Sequence, residues 1–116
     1  MEKEVLEVLI CQEEEAISLF LNRARCMGDP GLQVILEKGC AKHKNHLKKL
    51  IALSEGEEAA APQNCGEITP LQMQNRLILS YAASLCEVRQ EQIRAALVTL
   101  LNDELTLQGE LLKTTV

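Results

Sequence analysis

The sequence predicts an all-α protein, a four-helix bundle built from two helical hairpins. Leu, Ala, Glu, Gln and Lys dominate the composition, and these residues favour helices. No stretch alternates apolar and polar residues with period two for long enough to indicate a strand, whereas four segments repeat apolar residues with a helical period. A chain of 116 residues, 47% of them hydrophobic, is expected to form one domain over residues 1–116.

Proline and acidic residues mark the predicted helix boundaries. The first helix opens with glutamates, which suit the positive end of a helix dipole. Asp29-Pro30 and Thr69-Pro70 each place a capping residue before a proline at the first helical position. The break before the last helix has the weakest signal and falls within residues 87–91. The predicted helices span about 2–27, 30–54, 70–86 and 90–113.

A linker of 14 residues, 55–68, joins the two predicted hairpins. Fully extended it reaches about 46 Å at ~3.3 Å per residue. The second helix is about 37 Å long at ~1.5 Å per residue. The linker can therefore cross the whole bundle or loop back locally, and the sequence leaves both paths open.

Charge, hydropathy and cysteine usage restrict the partners and the compartment. The net charge of −5 argues against nucleic acid, which needs a basic face. No apolar run approaches the roughly 20 residues of a membrane span. The acidic start, Met1-Glu2-Lys3-Glu4, differs from a basic signal peptide and indicates a cytoplasmic protein. Five scattered cysteines without a C-x-x-C motif indicate free thiols, not a disulfide framework or a cysteine zinc site.

Polar side chains interrupt the apolar stripe of every predicted helix. At about 100° per residue, they fall at the centre or the edge of the stripe in each case. Burying a carboxylate costs several kcal/mol unless it is paired or bound to a metal. Considered alone, each residue has a simpler interpretation: the glutamate is half-exposed, the histidine is a core residue with its hydrogen bonds satisfied, and the glutamine is a core amide. Together they predict a polar layer across the bundle, formed by Glu13, His43, His46, Gln74 and Glu104.

Distances from the turns indicate which of these residues meet within each hairpin, whereas the relative height of the two hairpins depends on the path of the linker, which the sequence leaves open. Glu13 lies about 15 residues before the first turn, and His43 and His46 lie about 15 to 18 after it, so an antiparallel hairpin places them at one level. Gln74 and Glu104 are similarly equidistant from the second turn. Imidazole and carboxylate ligands suit zinc, iron or manganese. The predicted metal ligands are Glu13, His43, His46 and Glu104.

The third predicted helix also has an apolar stripe, and Gln74 lies within it. Its stripe contains Leu71, Ile78, Ala82 and Leu85, and it places Tyr81 at the edge. We therefore expect those four residues to face the core.

The first hairpin resembles that of rubrerythrins and bacterioferritins, which belong to the ferritin-like superfamily. Glu13 has an aromatic residue, Phe20, seven positions later, and His43-Lys44-Asn45-His46 resembles the E-x-x-H motif of the second helix. The resemblance implies a ferritin-like four-helix bundle in which Glu13, His46 and Glu104 match ligand types.

Three positions depart from this family pattern. His43 stands in place of a glutamate, Gln74 in place of the glutamate of the third helix, and Leu107 in place of a second histidine. Such proteins balance the charge of two metal ions with four carboxylates, whereas this sequence supplies only two carboxylates. The resemblance therefore implies a degenerate metal site.

Two stretches of the second half, Ile68 to Asn75 and Leu100 to Glu104, resemble the spore coat protein F family. Ile68 to Asn75, continuing to Ser80-Tyr81, is similar to that family's helix opening. Leu100-Leu101-Asn102-Asp103-Glu104, with Gln108 beyond, is similar to its closing helix. The family's aromatic C-terminal tail is missing, because this chain ends Lys113-Thr114-Thr115-Val116. The resemblance implies a spore-associated structural protein that interacts with other proteins or with itself, for example as a homodimer.

The sequence leaves more than one function open. The first is a non-enzymatic structural or interaction protein with a degenerate metal site and no required cofactor. The alternative is a metal-binding ferritin-like protein or oxidoreductase that uses a single Fe, Mn or Zn ion held by the four predicted ligands. A regulatory helical adaptor is a third reading. No Gly-rich phosphate loop and no nucleophile with an adjacent base is present, so we favour the non-enzymatic function.

Overall fold

The computed structural model describes residues 2–26, 28–54 and 68–114, and this part of the chain contains four α-helices and no strand. The helices are α1 (Glu2–Cys26), α2 (Pro30–Ser54), α3 (Pro70–Leu85) and α4 (Glu91–Thr114). Each boundary lies within one residue of its prediction, and the all-α, four-helix architecture is confirmed. Of the predicted linker, only Ile68 is among the described residues.

Both predicted caps precede a proline at the start of a helix. The Thr69 hydroxyl accepts the Gln72 backbone N–H at 3.1 Å, and the Gln72 side-chain oxygen accepts the Thr69 backbone N–H at 2.8 Å. This reciprocal pair is a capping box. Asp29 Oδ1 accepts the Gly31 backbone N–H at 2.9 Å. The caps satisfy N–H groups that have no partner within the helix, which explains why α2 and α3 begin where they do.

The turn between α3 and α4 covers residues 86–90 and is held by charged side chains. The Arg94 guanidinium donates to the carbonyl of Leu85 and, at 3.0 Å, to that of Val88. From the start of α1, the Glu2 carboxylate accepts the backbone N–H groups of Arg89 and Gln90 at 2.8 and 3.0 Å. These contacts fix the beginning of α1 beside the end of α3.

Contacts at the other end of the bundle settle the helix directions. The Arg23 guanidinium, near the end of α1, donates to the Ile68 carbonyl at 3.1 Å, just before α3 begins. Therefore α3 runs antiparallel to α1 and parallel to α2. Ser54 and Pro70 consequently lie at opposite ends of the bundle, which agrees with a linker that crosses it. The path of residues 55–67 lies outside the described residues.

The buried apolar residues form two clusters along the bundle axis. The larger lies toward the start of α1 and includes Leu9, Leu50, Leu77 and Leu97. The smaller lies toward the end of α1 and consists of Phe20, Ala24, Leu36, Cys40, Leu107 and Leu111. The predicted polar residues lie between these clusters along α2 and α4, and on α1 Glu13 lies within the larger cluster; all of them are buried from water.

The apolar face predicted for α3 is wrong: the buried face is rotated by about 100° from it, which is the angle between consecutive residues of a helix. Ala82 is exposed, and Leu71, Ile78 and Leu85 are only half-buried. Tyr81, which was expected at the edge, is fully buried together with Met73, Gln74 and Leu77. The reason is that Gln74 and Tyr81, seven residues apart on one face, hydrogen-bond to buried carboxylates of other helices. Those bonds determine the rotation of α3 more strongly than its modest apolar stripe.

The cysteines and the helices agree with the other expectations as far as the structure describes them. Cys11, Cys26, Cys40 and Cys86 are free thiols, and Cys65 lies outside the described residues. None of the described helices combines the length and the apolar character that crossing a membrane requires.

Glycine allows close contact between α1 and α2 beside the polar residues. A Cβ atom at Gly39 would lie 2.7 and 2.8 Å from the Cε2 and Cδ2 atoms of the Phe20 ring. Carbon atoms pack favourably only at about 3.5–4.0 Å, so a side chain does not fit here. The same ring packs against the His43 imidazole in an edge-to-face arrangement with centroids 4.7 Å apart. Gly39 therefore lets Phe20 support the position of His43.

We expect Gly39→Ala to lower the free energy of unfolding by about 1–2 kcal/mol. Overpacking a core costs about 1–3 kcal/mol, which exceeds the gain of about 1 kcal/mol in helix propensity. In a Phe20→Leu background the same change should be neutral or stabilising, because the ring is gone. Urea unfolding of the unmodified protein, the two single variants and the double variant gives the comparison. Equal effects of Gly39→Ala in both backgrounds would contradict the contact.

Candidate metal centre

The structure brings the four predicted ligand residues together in the centre of the bundle. Glu13 comes from α1, His43 and His46 from α2, and Glu104 from α4, and each is at most 1% exposed. One ligand atom from each residue lies within 4.8 Å of the other three. We call these four residues the Glu/His cluster. Their proximity and burial confirm the predicted geometry, whereas metal binding itself stays a prediction.

Helix periodicity explains why α2 supplies two of these side chains. His43 and His46 are three residues apart, so they project from consecutive turns of one face. Glu13 faces them across the first hairpin, at the level that the turn distances predict. Glu104 approaches from α4, which packs against α2. The contacts of His46 with Glu104 and of Tyr81 with Glu13 show that both hairpins place their polar residues at the same height.

Each imidazole presents its Nδ1 atom to both carboxylates. His43 Nδ1 lies 2.7 Å from Glu13 Oε1 and 3.6 Å from Glu104 Oε2. His46 Nδ1 lies 3.2 Å from Glu13 Oε2 and 3.0 Å from Glu104 Oε2. The two nitrogens and the carboxylate oxygens therefore converge on one small volume with no side chain between them.

Helix α3 contributes no member of the cluster but orients both carboxylates. Tyr81 Oη donates to Glu13 Oε2 at 2.6 Å. Gln74 Nε2 donates to Glu104 Oε1 at 2.5 Å and to the Glu104 backbone carbonyl at 2.9 Å. Sequence reasoning placed Gln74 in the polar layer but gave Tyr81 no role. The available signal was the spacing of seven residues, which puts Tyr81 on the same face as Gln74.

Asp103 connects the cluster to the surface, and sequence reasoning did not assign it. Its Oδ2 atom lies 2.5 Å from His46 Nε2, and its Oδ1 atom lies 3.7 Å from Lys42 Nζ. The Asp103 side chain is 37% exposed, whereas the His46 side chain is 1% exposed. Because Asp103 precedes Glu104, it points about 100° away from the buried stripe, toward α2. A charged residue directly beside a buried glutamate is the sequence signal for such a contact.

The local charges favour protonated imidazoles in the absence of a metal. Burial alone would lower the pKa of His43, but the carboxylates of Glu104 and Glu13 raise it to about 9. The same opposing effects raise the pKa of His46 to about 10. Despite burial, the two histidines hold the pKa of Glu104 below its usual range. Burial raises the pKa of Glu13, although its hydrogen bonds with the histidines oppose that shift.

Tyr81 is a neutral donor in this environment. Its burial, next to the Glu13 carboxylate, raises the pKa of the phenol far above the usual value. It can therefore only donate its hydrogen to Glu13 at physiological pH.

Two buried atoms at the edge of the cluster, His43 Nε2 and Gln74 Oε1, lack a hydrogen-bond partner among the described residues.

The spacing of the cluster fits one small cation. Ligand atoms about 2.1 Å from a tetrahedral ion lie about 3.4 Å from one another. The four nitrogen–oxygen distances in the cluster range from 2.7 to 3.6 Å. With one ligand atom taken from each residue, the separations are at most 4.8 Å, so the widest would shorten by up to about 1.4 Å to convert this hydrogen-bonded arrangement into a tetrahedral coordination shell.

Comparison of the chain with models of protein families, with curated proteins and with solved structures finds no match. The ferritin-like and spore-coat resemblances therefore stay predictions.

We expect the buried pair of Glu13 and His43 to be energetically coupled in the metal-free protein. His43→Leu suits the apolar stripe but leaves Glu13 without one of its partners, so it should cost about 1–3 kcal/mol of stability. Replacing both residues with leucine should recover much of that loss, because the buried carboxylate is also removed. Urea unfolding with a chelator present measures each variant.

Lys44→Leu is the matched control for His43→Leu, because Lys44 is exposed on the same helix. It should change the free energy of unfolding by less than about 0.5 kcal/mol. Strictly additive effects of the Glu13 and His43 replacements would show that the two residues do not interact.

We expect the stability of the metal-free protein to fall as pH rises from about 6.5 to 10. The neighbouring carboxylates raise the pKa values of His43 and His46 to about 9 and about 10, above the 6.5 that is ordinary for histidine. The stabilisation by their charged forms is thus complete below pH 6.5 and is lost as pH rises through the folded values. The charged or titratable groups that face them are Glu13, Glu104, Asp103 and Tyr81.

Urea unfolding in chelator at several pH values tests this dependence. Over the same range, the variant with leucine at positions 13 and 43 should lose part of the slope, because one imidazolium and its carboxylate are absent. A stability that does not change between pH 6.5 and 10 in the unmodified protein would contradict protonated histidines in the cluster.

Proposed function

We propose that this protein binds a single divalent transition-metal ion at the Glu/His cluster and that the ion stabilises the bundle without taking part in turnover. The observation that carries the proposal is the convergence of two imidazoles and two carboxylates, from three helices, on one buried volume. A cation there links α1, α2 and α4. Helix α3 is connected to it through Tyr81 and Gln74.

The number and burial of the ligands support a structural ion over a catalytic one. Structural sites of tetrahedral metals have four protein ligands, whereas catalytic sites keep a position for water or substrate. Here the four side chains complete the set and are at most 1% exposed. A substrate cannot contact the ligand atoms without displacing part of the core. The oxidoreductase alternative therefore receives less support from the geometry.

The charges of the cluster support one ion instead of two. Two carboxylates neutralise a single divalent cation, and two neutral imidazoles complete its ligands. Nitrogen and oxygen donors suit Zn²⁺, and they also accept Fe²⁺ or Mn²⁺. Asp103 fits the role of an outer partner, because His46 can donate from Nε2 to Asp103 while Nδ1 remains available as a ligand.

The same features support a place among ferritin-like bundles with a non-enzymatic, coat-protein-like role. Such folds use one long connection, which agrees with the parallel directions of α2 and α3. The replacement of carboxylates by His43 and Gln74 supports a site reduced from two ions to one. A structural ion in a stable bundle is compatible with a protein whose function is to interact with other proteins.

We expect the metal-free protein to take up one Zn²⁺ or Co²⁺ per chain and to release about two protons per ion at pH 7. The protons come from the two histidines, which must be neutral to act as ligands. Affinity should therefore fall as pH is lowered. Calorimetry in buffers of different ionisation enthalpy gives stoichiometry and proton release, and the Co²⁺ absorption spectrum reports tetrahedral coordination.

Two variants remove ligands, and one serves as a matched control. Glu104→Gln and His46→Gln should each weaken metal binding by at least ~100-fold. Replacing a residue that only hydrogen-bonds to a metal ligand typically weakens binding by about 10–100-fold. Glu37→Gln, at an exposed position of α2, should leave affinity unchanged. A protein that shows no saturable binding, or that keeps its affinity after loss of Glu104 and His46, would disprove the metal site.

A further inference from the structure

One face of the second hairpin exposes apolar side chains in a regular row. Val98, Leu105 and Leu112 on α4 are 43%, 43% and 49% exposed, and they are spaced seven residues apart. Residues seven apart are almost two full helical turns apart, so their side chains lie on the same side of the helix. This is the spacing found where two helices pack against each other. The buried face of α4, which contains Leu97, Glu104 and Leu111, points in a different direction.

Helix α3 adds to this face. Gln108 of α4 donates to Asn75 of α3 at 2.7 Å, which shows that these two residues are level in the hairpin. One turn farther along, Leu79 of α3 and Leu105 of α4 are therefore level with each other. Leu79 is 70% exposed. We call Leu79, Val98, Leu105 and Leu112 the apolar row.

The residues beside the apolar row are complementary to a second copy of themselves. If two α4 helices cross antiparallel with Leu105 at the two-fold axis, position 98 faces position 112 of the other copy. Leu101, which packs against its own core with one side and is half-buried, then faces Gly109, so its remaining surface meets a gap, and Asn102 faces Gln108, so two amides meet. An isologous dimer requires this kind of self-complementary pattern.

Gly109 and the distribution of charge also agree with a second copy as the occupant. Glycine within a helix costs about 1 kcal/mol relative to alanine. A Cβ atom at Gly109 would meet no atom of the chain within 4 Å, so packing within one copy does not require glycine there. Between Arg94 and Glu110, the charged residues Asp103 and Glu104 point toward the metal centre. The face is thus uncharged at its centre, although the chain has a net charge of −5.

We infer that the apolar row is the interface of a two-fold symmetric homodimer in which two α4 helices pack antiparallel about Leu105. The contacting part of α4, residues 98–112, is about 21 Å long, which is short for a permanent dimer. We therefore place the dissociation constant in the micromolar range, on the order of 1–100 μM. The interface is separate from the Glu/His cluster and does not depend on a bound metal.

Sedimentation equilibrium of the full chain from about 1 μM to 1 mM tests the inference. The unmodified protein should change from monomer to dimer across this range, with or without chelator. Leu105→Glu should weaken dimerisation at least ~100-fold, because it places two like charges at the symmetry axis. Val34→Glu is the matched control, since Val34 on α2 is also 49% exposed but lies outside the row. It should not change the dissociation constant.

Gly109→Ala separates the interface from the stability of the single chain. It should raise the unfolding midpoint of the dilute monomer, because the helix gains propensity and the methyl group has room. It should also weaken the dimer by about tenfold, because the methyl group occupies the space that Leu101 of the other copy needs. An unchanged dimer affinity in this variant would overturn the antiparallel packing.

A cross-link fixes the orientation. Oxidised Leu105→Cys should give a disulfide between the two Cys residues introduced at position 105, identified by peptide mass spectrometry, whereas Val98→Cys should not link to itself. Self-linking at both positions would indicate parallel helices and overturn the inference. A protein that stays monomeric up to 1 mM would also overturn it, whether or not another protein binds the row.

Discussion

The arrangement of this bundle depends on the burial of Glu13 and Glu104 between two imidazoles. A carboxylate without partners is too costly to keep in an apolar interior, so each helix must supply a compensating group at the same height. Helix α2 supplies His43 and His46, and α3 supplies the donors Tyr81 and Gln74. This requirement fixes the relative height of the two hairpins and the rotation of α3.

The cluster has the same total charge in its two proposed states. Without metal, two imidazolium groups face two carboxyl groups, and the ion that we propose would replace two protons with two positive charges. The bundle can therefore keep one packing arrangement in both states, because neither state adds net charge to the core. At the solvent-facing edge of the cluster, the negative charge of Asp103 is offset by the positive charge of Lys42, so these two residues add no net charge either.

Packing around the cluster is as specific as its hydrogen bonding. The Phe20 ring contacts α2 where Gly39 lacks a side chain, and it meets the edge of the His43 imidazole. A ring at this position excludes water from one side of the cluster, which strengthens the electrostatic contacts. The two features that a family resemblance highlighted, Glu13 and the aromatic residue seven positions later, are thus connected physically through His43.

The outer surface of the second hairpin follows a different constraint. Its apolar row is not needed for the core, because the inward face of α4 already packs against its neighbours. Self-association through this row would leave the cluster and its ligands unchanged. Metal binding and dimerisation can then be varied separately in the same protein.

Local chemistry in the sequence was sufficient for the helices and for most of the site. Asp29-Pro30 and Thr69-Pro70 define helix starts through short-range bonds. Periodicity places Glu13, His43, His46 and Glu104 on inward faces, and the turn distances place the first three at one level of the first hairpin. Only the tertiary structure decided what depends on contacts between distant residues. The rotation of α3, the role of Tyr81, the contact of Asp103 with His46 and the parallel direction of α2 and α3 all belong to this group. Sequence patterns report the average polarity of a helix face, whereas a buried hydrogen bond acts on single atoms and can override that average.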